Sequence, residues 1–448
     1  MAQTLNMTKG SPIRLLFSFA LPLMFGNIFQ QLYTVVDTAI VGRGVGMSAL
    51  AALGTVDWLN WMMLGIAQGF TQGFCIRMSQ KFGAQDLEGL KQTLGTSVLL
   101  TAIVAVVGTL VSQLGLPLFL AWMQVPGYLR PDATLYSRII MGGFAAVCFF
   151  NLCSSTLRAV GDSKTPLVAM VVAATTNIVL DIVAVFILKW GIAGAAAATV
   201  FSQLLSGTLC AIKIAKTPEL RFEKRHLTMN LSMAGDLMGI GIPAAAKNII
   251  IAVGGMVVQT VVNSFDSMSF IAGFTATNKL YGLLEIAALS YGYAVTTYVG
   301  QNYGAGLIPR IRSGVRAANA LALASSVVIA AVMLVFGREI TMLFIAREDA
   351  ALALEAGETA FRYLCLMSVS LPILYILYVY MSALQGMGNT VAPMYSAIFE
   401  LTIRIVVSLV VARIAFRDGI FLAEVGAWYG GALTQALGYI IQIRKIKK

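Results

Sequence analysis

Almost the whole chain consists of long apolar spans separated by short charged or Gly/Pro-rich turns. Such spans are long enough to cross about 30 Å of hydrocarbon as helices, and they lack the alternation of a membrane β-barrel. Only 11% of the 448 residues are charged, against about 25% in soluble proteins. The sequence therefore predicts an all-α, polytopic membrane protein of twelve transmembrane helices. The predicted spans are 13–41, 48–76, 93–122, 133–156, 165–188, 192–214, 237–263, 269–299, 314–345, 358–384, 392–415 and 421–442.

The chain also contains an internal duplication. The segment 157–162 (Leu-Arg-Ala-Val-Gly-Asp) reappears 227 positions later as 384–389 (Leu-Gln-Gly-Met-Gly-Asn). Earlier in each copy the offset is 221, and it relates 21–22 (Leu-Pro) to 242–243 (Ile-Pro) and 80–84 (Gln-Lys-Phe-Gly-Ala) to 301–305 (Gln-Asn-Tyr-Gly-Ala). A repeated set of this length indicates that the two halves share one fold.

Each copy holds six predicted helices, and six is an even number. Both copies therefore enter the membrane in the same direction, and we expect a pseudo-two-fold axis along the membrane normal to relate them. The predicted domains are an N-terminal six-helix bundle at 1–215, a basic cytoplasmic linker at 216–236 and a C-terminal six-helix bundle at 237–448.

Basic residues are distributed unevenly between the two sides of the predicted membrane. Nineteen Lys and Arg lie on one side, nine lie on the other, and three lie inside spans. The nineteen include Lys447 and Lys448, and the nine include Arg347. Because cytoplasmic loops carry the excess, we expect both termini in the cytoplasm and the chain in the cytoplasmic (inner) membrane. This topology explains the net charge of +11, so we expect no nucleic-acid partner.

Two carboxylates of the first copy are predicted at membrane depth. Asp37 follows Tyr33 by four positions and Asp181 follows Asn177 by four, so each pair shares one helical face. A charge at bilayer depth costs roughly 2.5–3.5 kcal/mol, so a chain keeps one for a pathway, a partner or a bound ion. Counting from the outer turns places Asp37, Asp181 and Thr199 at a similar depth of roughly 9–13 Å.

These side chains form an all-oxygen set. Such a set suits a hard cation such as sodium, or a proton shared between two acids. If the ion is sodium, the predicted ligands are Asp37, Asp181, Asn177 and Thr199. The alternative is that the two acids only hydrogen-bond helix to helix, as polar residues do in membrane bundles. Asp57 of the second helix is also at membrane depth, and the sequence does not decide between a site residue and a structural contact.

The second copy does not repeat this acidic set. At the offset of 227, Asn177 becomes Arg404 and Asp181 becomes Ser408. Glu400, four residues before Arg404, is the predicted intrahelical partner of that arginine. The other charges predicted at membrane depth in this half are Lys247, Lys279 and Glu285. They either pair structurally or contact a substrate, and the two halves are expected to be functionally unequal.

Several other chemistries are disfavoured by the sequence. The five cysteines lie in apolar spans without the paired spacing of a zinc site. The sole histidine, His226, falls in the linker, where we expect an ordinary surface residue. The chain has no GxxxxGK[ST] phosphate loop, so ATP is not the direct fuel. It also lacks the Gly-x-Gly-Asp motif of membrane aspartic proteases, and we expect no enzyme and no cofactor.

Together these motifs resemble the multidrug and toxic compound extrusion (MATE) transporters, near their DinF-like and MepA-like members. The resemblance runs from 21–22 through 31–38 (Gln-Leu-Tyr-Thr-Val-Val-Asp-Thr), 80–84 and 157–162 to the second-copy counterparts. It implies a cation or proton pocket in the first bundle. The residues that fall on the pocket positions are Tyr33, Asp37, Asn177, Asp181 and Thr199, and a cavity asparagine falls on Asn151.

The resemblance also implies a function. A MATE transporter is a cation-coupled antiporter, driven by protons or sodium, that exports organic and often cationic drugs by alternating access. We expect a monomer among membrane lipids. The candidate substrate-cavity residues are Asn151, Asp57, Glu285, Lys279 and Arg404. An alternative within the same superfamily is a flippase for a lipid-linked sugar, which the basic residues Lys247, Lys279 and Arg404 would suit.

Overall fold

The structure, a computed structural model, describes residues 4–123, 125–343, 345, 350–414 and 417–446. In this part of the chain it contains α-helices with short 3₁₀ and π turns and no β-strand. The predicted all-α class is confirmed. Arg347, Lys447 and Lys448, which contribute to the predicted charge asymmetry, lie outside the described residues.

The first copy forms seven helices, two of which are parts of one bent segment. Helices α4 and α5 meet at Gly143 with a bend of 42°, and α6 continues into a π turn, Val183–Ile187. The helices are α1 (Pro12–Gly44), α2 (Met47–Gly83), α3 (Leu87–Trp122), α4 (Arg130–Gly142), α5 (Phe144–Ala159), α6 (Lys164–Ile182) and α7 (Gly191–Lys216).

The second copy repeats this plan with a break in a different segment. Only Glu285 separates α9 from α10. With each broken pair counted once, the helices of the described chain make twelve segments, and eight or nine of them are long and apolar enough to cross a membrane. The helices are α8 (Leu231–Ser264), α9 (Met268–Leu284), α10 (Ile286–Gly304), α11 (Ile308–Met342), α12 (Ala350–Gly386), α13 (Val391–Ile414) and α14 (Phe421–Lys445).

The repeated motif forms the same turn in both copies. Gly161 and Gly388 have φ angles of 88° and 87°, which favour glycine because it has no Cβ. The next residues, Asp162 and Asn389, cap the following helix through Oδ1. This atom accepts the backbone N–H three residues later, at 2.9 Å in the first copy and 3.1 Å in the second. The sequence repeat is therefore also a structural repeat.

The described chain forms two compact units. Leu21–Asn248 makes up most of the first unit, and Ile249–Tyr303 with the chain from Leu307 onward makes up most of the second. The division between them falls inside α1 and inside α8, since Thr8–Ala20 belongs to the second unit. The domain boundaries at 215 and 237 stay a prediction.

The linker is docked on the first unit. His226 is only 4% exposed, so the prediction of an ordinary surface residue is wrong. Its Nδ1 accepts the backbone N–H of Glu223 at 2.8 Å, and its Nε2 lies 2.9 Å from Oε1 of Glu88 in α3. An Nδ1 that accepts leaves the ring proton on Nε2, which then donates to Glu88. The backbone carbonyl of His226 rests against Gly95.

Substituting Gly95 with alanine should detach the linker. A Cβ at this position would lie 2.6 Å from the carbonyl carbon of His226, inside van der Waals contact with backbone that has little freedom to move. We expect Gly95→Ala to lower the melting temperature and to speed trypsin cleavage after Lys224 and Arg225. Gly115→Ala in the same helix is the control, because nothing lies within 4 Å of its added Cβ. Equal stability and equal cleavage of the two variants would contradict the docked linker.

Candidate functional site

Asp37 of α1 and Asp181 of α6 meet inside the first unit. Their carboxyl groups are close enough for one to hydrogen-bond the other when one carries a proton. Asp181 is fully buried. Apart from this mutual contact, both oxygens of Asp181 and Oδ1 of Asp37 have no hydrogen-bond partner among the described residues. Two facing carboxylates repel each other, so the arrangement favours uptake of a proton or a cation.

Three more predicted residues adjoin the two acids. Asn177 is 1% exposed, and neither amide atom has a hydrogen-bond partner in the described structure. Tyr33 lies near both carboxylates. Thr199 donates its hydroxyl proton to the Ala195 carbonyl at 3.1 Å, which leaves the hydroxyl oxygen able to accept. We call these five residues the carboxylate cluster: Tyr33, Asp37, Asn177, Asp181 and Thr199.

A partly open pocket, the first-unit cavity, adjoins the carboxylate cluster. Its wall mixes apolar with uncharged polar side chains, and two of the polar atoms, Oγ of Ser202 and Oε1 of Gln203, have no partner among the described residues. Apolar walls with a few polar groups are typical of small-molecule sites. The lining residues that belong to the carboxylate cluster are Tyr33, Asn177 and Thr199, and the others are Gln30, Phe150, Met170, Ala173, Ala174, Ser202, Gln203 and Ser206.

The end of α6 is irregular next to the site. The π turn Val183–Ile187 begins two residues after Asp181, and Lys189 follows with a φ of 55°. A π turn adds a residue to the helical ladder and is frequent at functional sites. Asp181 therefore occupies the last regular turn of α6, where the helix geometry departs from its usual form.

Tyr136 of α4 belongs beside the carboxylate cluster, and the sequence did not single it out. It is 8% exposed and lies near Asp37, Asp57 and Asp181. Its position six residues after Arg130 gives it a depth of about 9 Å, close to that of the acids. The sequence indicates this depth in the membrane, but it places many other aromatic residues at a similar depth. Depth alone therefore did not distinguish Tyr136.

Two predicted substrate-cavity residues of the first unit do not line the first-unit cavity as described. Asn151 donates its amide to the Val147 carbonyl of its own helix at 2.9 Å, and the adjacent Phe150 lines the cavity instead. Asp57 has an exposed side chain on α2 and lies near Tyr136. Asp57 therefore lies near Tyr136, beside the carboxylate cluster.

In the second unit, Arg404 of α13 makes a two-point ion pair with Glu424 of α14. The distances are 3.0 Å from Nε to Oε2 and 2.8 Å from Nη2 to Oε1. The indole N–H of Trp428 also donates to Oε1 of Glu424, at 3.1 Å. The predicted partner, Glu400, also lies near Arg404, and its Oε1 accepts from Ser396 at 3.3 Å. The sequence missed Glu424, which makes the direct ion pair, because this acid comes from a neighbouring helix.

The remaining predicted charges of the second half are Glu285, Lys279 and Lys247. Glu285 lies at the break between α9 and α10 and accepts from the Tyr378 hydroxyl at 3.2 Å. Lys279 is exposed on α9, and Lys247 is 9% exposed on α8. Tyr281 lies near Glu285, Glu424 and Arg404, so Glu285 adjoins the ion pair of Arg404.

Comparison with known families decides the identity of the fold. The MatE family model matches this chain twice, at residues 22–183 and 243–410, which together exceed half of its length. The chain belongs to the MATE family. The two MATE matches begin 221 residues apart and end 227 residues apart. Both offsets predicted from the sequence are thereby confirmed.

Known MATE relatives match most of the chain. A probable multidrug resistance protein of Bacillus subtilis, YoeA, is 27% identical over 77% of this chain and 76% of its own. A probable multidrug resistance protein of Thermotoga maritima, NorM, is 23% identical over 93% of this chain and 88% of its own. A solved MOP superfamily transporter from Pyrococcus furiosus has a TM-score of 0.93 at 21% identity, covering 100% and 99% of the two chains. At 21% identity, this similarity shows a shared fold and nothing further.

Proposed function

We propose that this MATE chain is an ion-coupled antiporter that exports organic, often cationic, compounds by alternating access. The observation that supports this most is the facing pair of Asp37 and Asp181 beside the first-unit cavity. The site for a cation or proton and the site for an organic compound then adjoin each other in the first unit. The naming of relatives as probable multidrug resistance proteins supports the substrate class.

The first helix provides a physical link between the two occupants. Gln30 and Tyr33 of α1 line the first-unit cavity, and Asp37 of the same helix belongs to the facing pair. An ion held at Asp37 and a compound held at Gln30 therefore act on one helix. For the ion to shift that helix almost completely between two states, it must favour one state by about 5.5 kcal/mol.

The coupling ion is a proton or sodium. Four oxygens without hydrogen-bond partners outside the pair, on Asp37, Asp181 and Asn177, fit either ion chemically. A proton would be shared by the two carboxyls, and sodium would also use the Thr199 oxygen. A tenfold gradient of the coupling ion supplies about 1.4 kcal/mol, which sustains about a tenfold accumulation of a cationic compound exchanged one for one. No cofactor is needed in this scheme, and we expect the chain to act as a monomer in lipid.

A flippase for a lipid-linked sugar is the alternative, and the structure weakens its support. The case for it depended on Lys247, Lys279 and Arg404 as a basic cavity. Arg404 is paired with Glu424 inside the second unit, which removes its positive charge from that set. Proteoliposomes that move a lipid-linked sugar but no ethidium would favour the flippase.

The direct test of antiport uses proteoliposomes with one gradient at a time. Ethidium accumulation is measured with a sodium gradient alone, a pH gradient alone, and no gradient. We expect one of the two gradients to drive accumulation well above that in protein-free vesicles. Absence of accumulation with either gradient, in vesicles shown to contain folded protein, would contradict antiport.

We also propose that the linker and both termini face the cytoplasm. Cysteine at Thr228, an exposed linker position, should react with an impermeant maleimide only after cells are opened. Cysteine at Tyr128, 76% exposed between α3 and α4, should react in intact cells. The unsubstituted chain is the blank, because its own cysteines are buried or half-buried. Reactivity of Thr228→Cys in intact cells, with Tyr128→Cys protected, would reverse the orientation.

A further inference from the structure

The carboxylate cluster has a counterpart in the second copy that the duplication identifies residue by residue. The family matches fix the offsets, 221 at the start of each copy and 227 at its end. Helix α8 thus corresponds to α1, and α13 corresponds to α6. The corresponding pairs are Tyr33 and Gly254, Asp37 and Val258, Asn177 and Arg404, and Asp181 and Ser408.

Neither carboxylate of the cluster has an acidic counterpart. Val258 is an apolar residue, 3% exposed, where α1 has Asp37. Ser408 is fully buried, and its hydroxyl has no hydrogen-bond partner among the described residues. The second copy therefore lacks the pair of facing acids that gives the first copy its affinity for a cation.

A guanidinium group lies at the counterpart position instead. Arg404 is 4% exposed, and its side chain rests against Gly254 of α8. A Cβ on Gly254 would come within 3.0 Å of both Cδ and Nη1 of Arg404. A tyrosine at this position, as in the first copy, would have to occupy the space that the guanidinium fills.

The negative charge that holds this cation comes from a different helix. Glu424 of α14 binds Nε and Nη2 of Arg404 in the two-point geometry that matches a guanidinium to a carboxylate. The opposite edge of the guanidinium, Nη1, is buried without a partner among the described residues. In the first copy two acids face each other, whereas in the second copy Glu424, with Glu400 nearby, faces a cation that belongs to the chain.

We propose that Arg404 is a tethered cation that permanently fills the second copy's counterpart of the ion site. The chain then exchanges ions through the carboxylate cluster alone. This inference rests on the proposed function only for the statement that the exchanged ion is coupled to export. When the Arg404 side chain is absent, the vacated space between Glu424 and Gly254 takes a small guanidinium cation.

Chemical rescue tests the tethered cation without any transport assay. Purified Arg404→Ala should melt well below the unsubstituted chain, because Glu424 loses its partner. Methylguanidinium at millimolar concentration should restore most of that loss, and sodium chloride of equal ionic strength should not. Arg404→Ala with Glu424→Gln is the matched control, and methylguanidinium should leave it unchanged. No recovery in Arg404→Ala, or equal recovery in the control, would overturn the proposal.

Ion counting on the unsubstituted chain tests the same proposal if Arg404→Ala does not fold. Saturable sodium binding and proton uptake per chain are measured for the purified protein and for Asp37→Asn with Asp181→Asn. We expect at most one saturable ion site per chain, and its complete loss in the double variant. A site that survives in the double variant would place an exchangeable ion outside the carboxylate cluster and overturn the proposal. The chemical rescue and the ion count can both be interpreted even if the chain does not export ethidium, because neither measurement depends on transport.

Discussion

Replacing Asp37 by asparagine should abolish ion-driven export and leave the amount of protein in the membrane near normal. Asparagine keeps the size of the side chain but can neither share a proton with Asp181 nor bind a cation strongly. Removing a charge at bilayer depth also relieves a desolvation cost, so folding should not suffer. The gradient-driven accumulation of ethidium, about tenfold for a tenfold ion gradient and one-for-one exchange, should fall to that of protein-free vesicles.

The control for this substitution is an acid outside the carboxylate cluster. Asp132→Asn, in the first turn of α4, removes a carboxylate from the same unit and should keep full accumulation. Asp181→Asn should behave as Asp37→Asn does. Full drug resistance in cells that carry Asp37→Asn at normal protein levels would show that the two acids only hold helices together.

Breaking the Arg404 and Glu424 ion pair should have the largest effect on stability. Removing one partner of a buried pair leaves the other charge alone, which costs about 3–5 kcal/mol. Arg404→Met and Glu424→Gln should each lower the melting temperature strongly. The double variant should recover most of the loss, because neither charge then remains buried.

The control for the cycle is Lys279→Met, which removes an exposed cation of the same unit and should change stability little. Melting temperature and yield after purification are the measurements. Normal yield of both single variants with lost transport, and no recovery in the double variant, would give Arg404 and Glu424 a role in substrate binding instead of in folding.

The fold was predictable because apolar length and internal repetition are properties of the sequence itself. Spans of sufficient length impose helices in a bilayer. The Leu157–Asp162 motif and its copy at 384–389 identify corresponding turns, and the structure gives them matching glycine φ angles. The breaks at Gly143 and Glu285 and the π turn after Asp181 were not predicted, because each lies inside one continuous predicted span.

The site was predictable only where spacing along one helix decides it. Tyr33 with Asp37, and Asn177 with Asp181, share helical faces by their four-residue spacing. Which helices then contact each other depends on tertiary packing, which the spacing does not specify. Tyr136 was therefore missed, although it lies beside both acids.

A missed contact and a wrong prediction have the same origin. The local four-residue rule indicates Glu400 beside Arg404, but the direct ion pair is made by Glu424 of the next helix. Composition makes His226 a surface residue of a basic linker, but the linker folds back onto α3 and buries it. In both cases a contact distant in sequence outweighs the local pattern.

The most direct measurement of coupling is ion flux driven by drug. Proteoliposomes loaded with ethidium, with equal sodium, equal pH and no membrane potential across the bilayer, are diluted into drug-free medium, and proton and sodium movement are followed. Coupling is reciprocal, so outward drug movement should pull one of these ions inward in the unsubstituted chain, and Asp37→Asn should show no ion movement. Drug efflux through the unsubstituted protein with neither ion moving, or equal ion movement in Asp37→Asn, would contradict coupling at the carboxylate cluster.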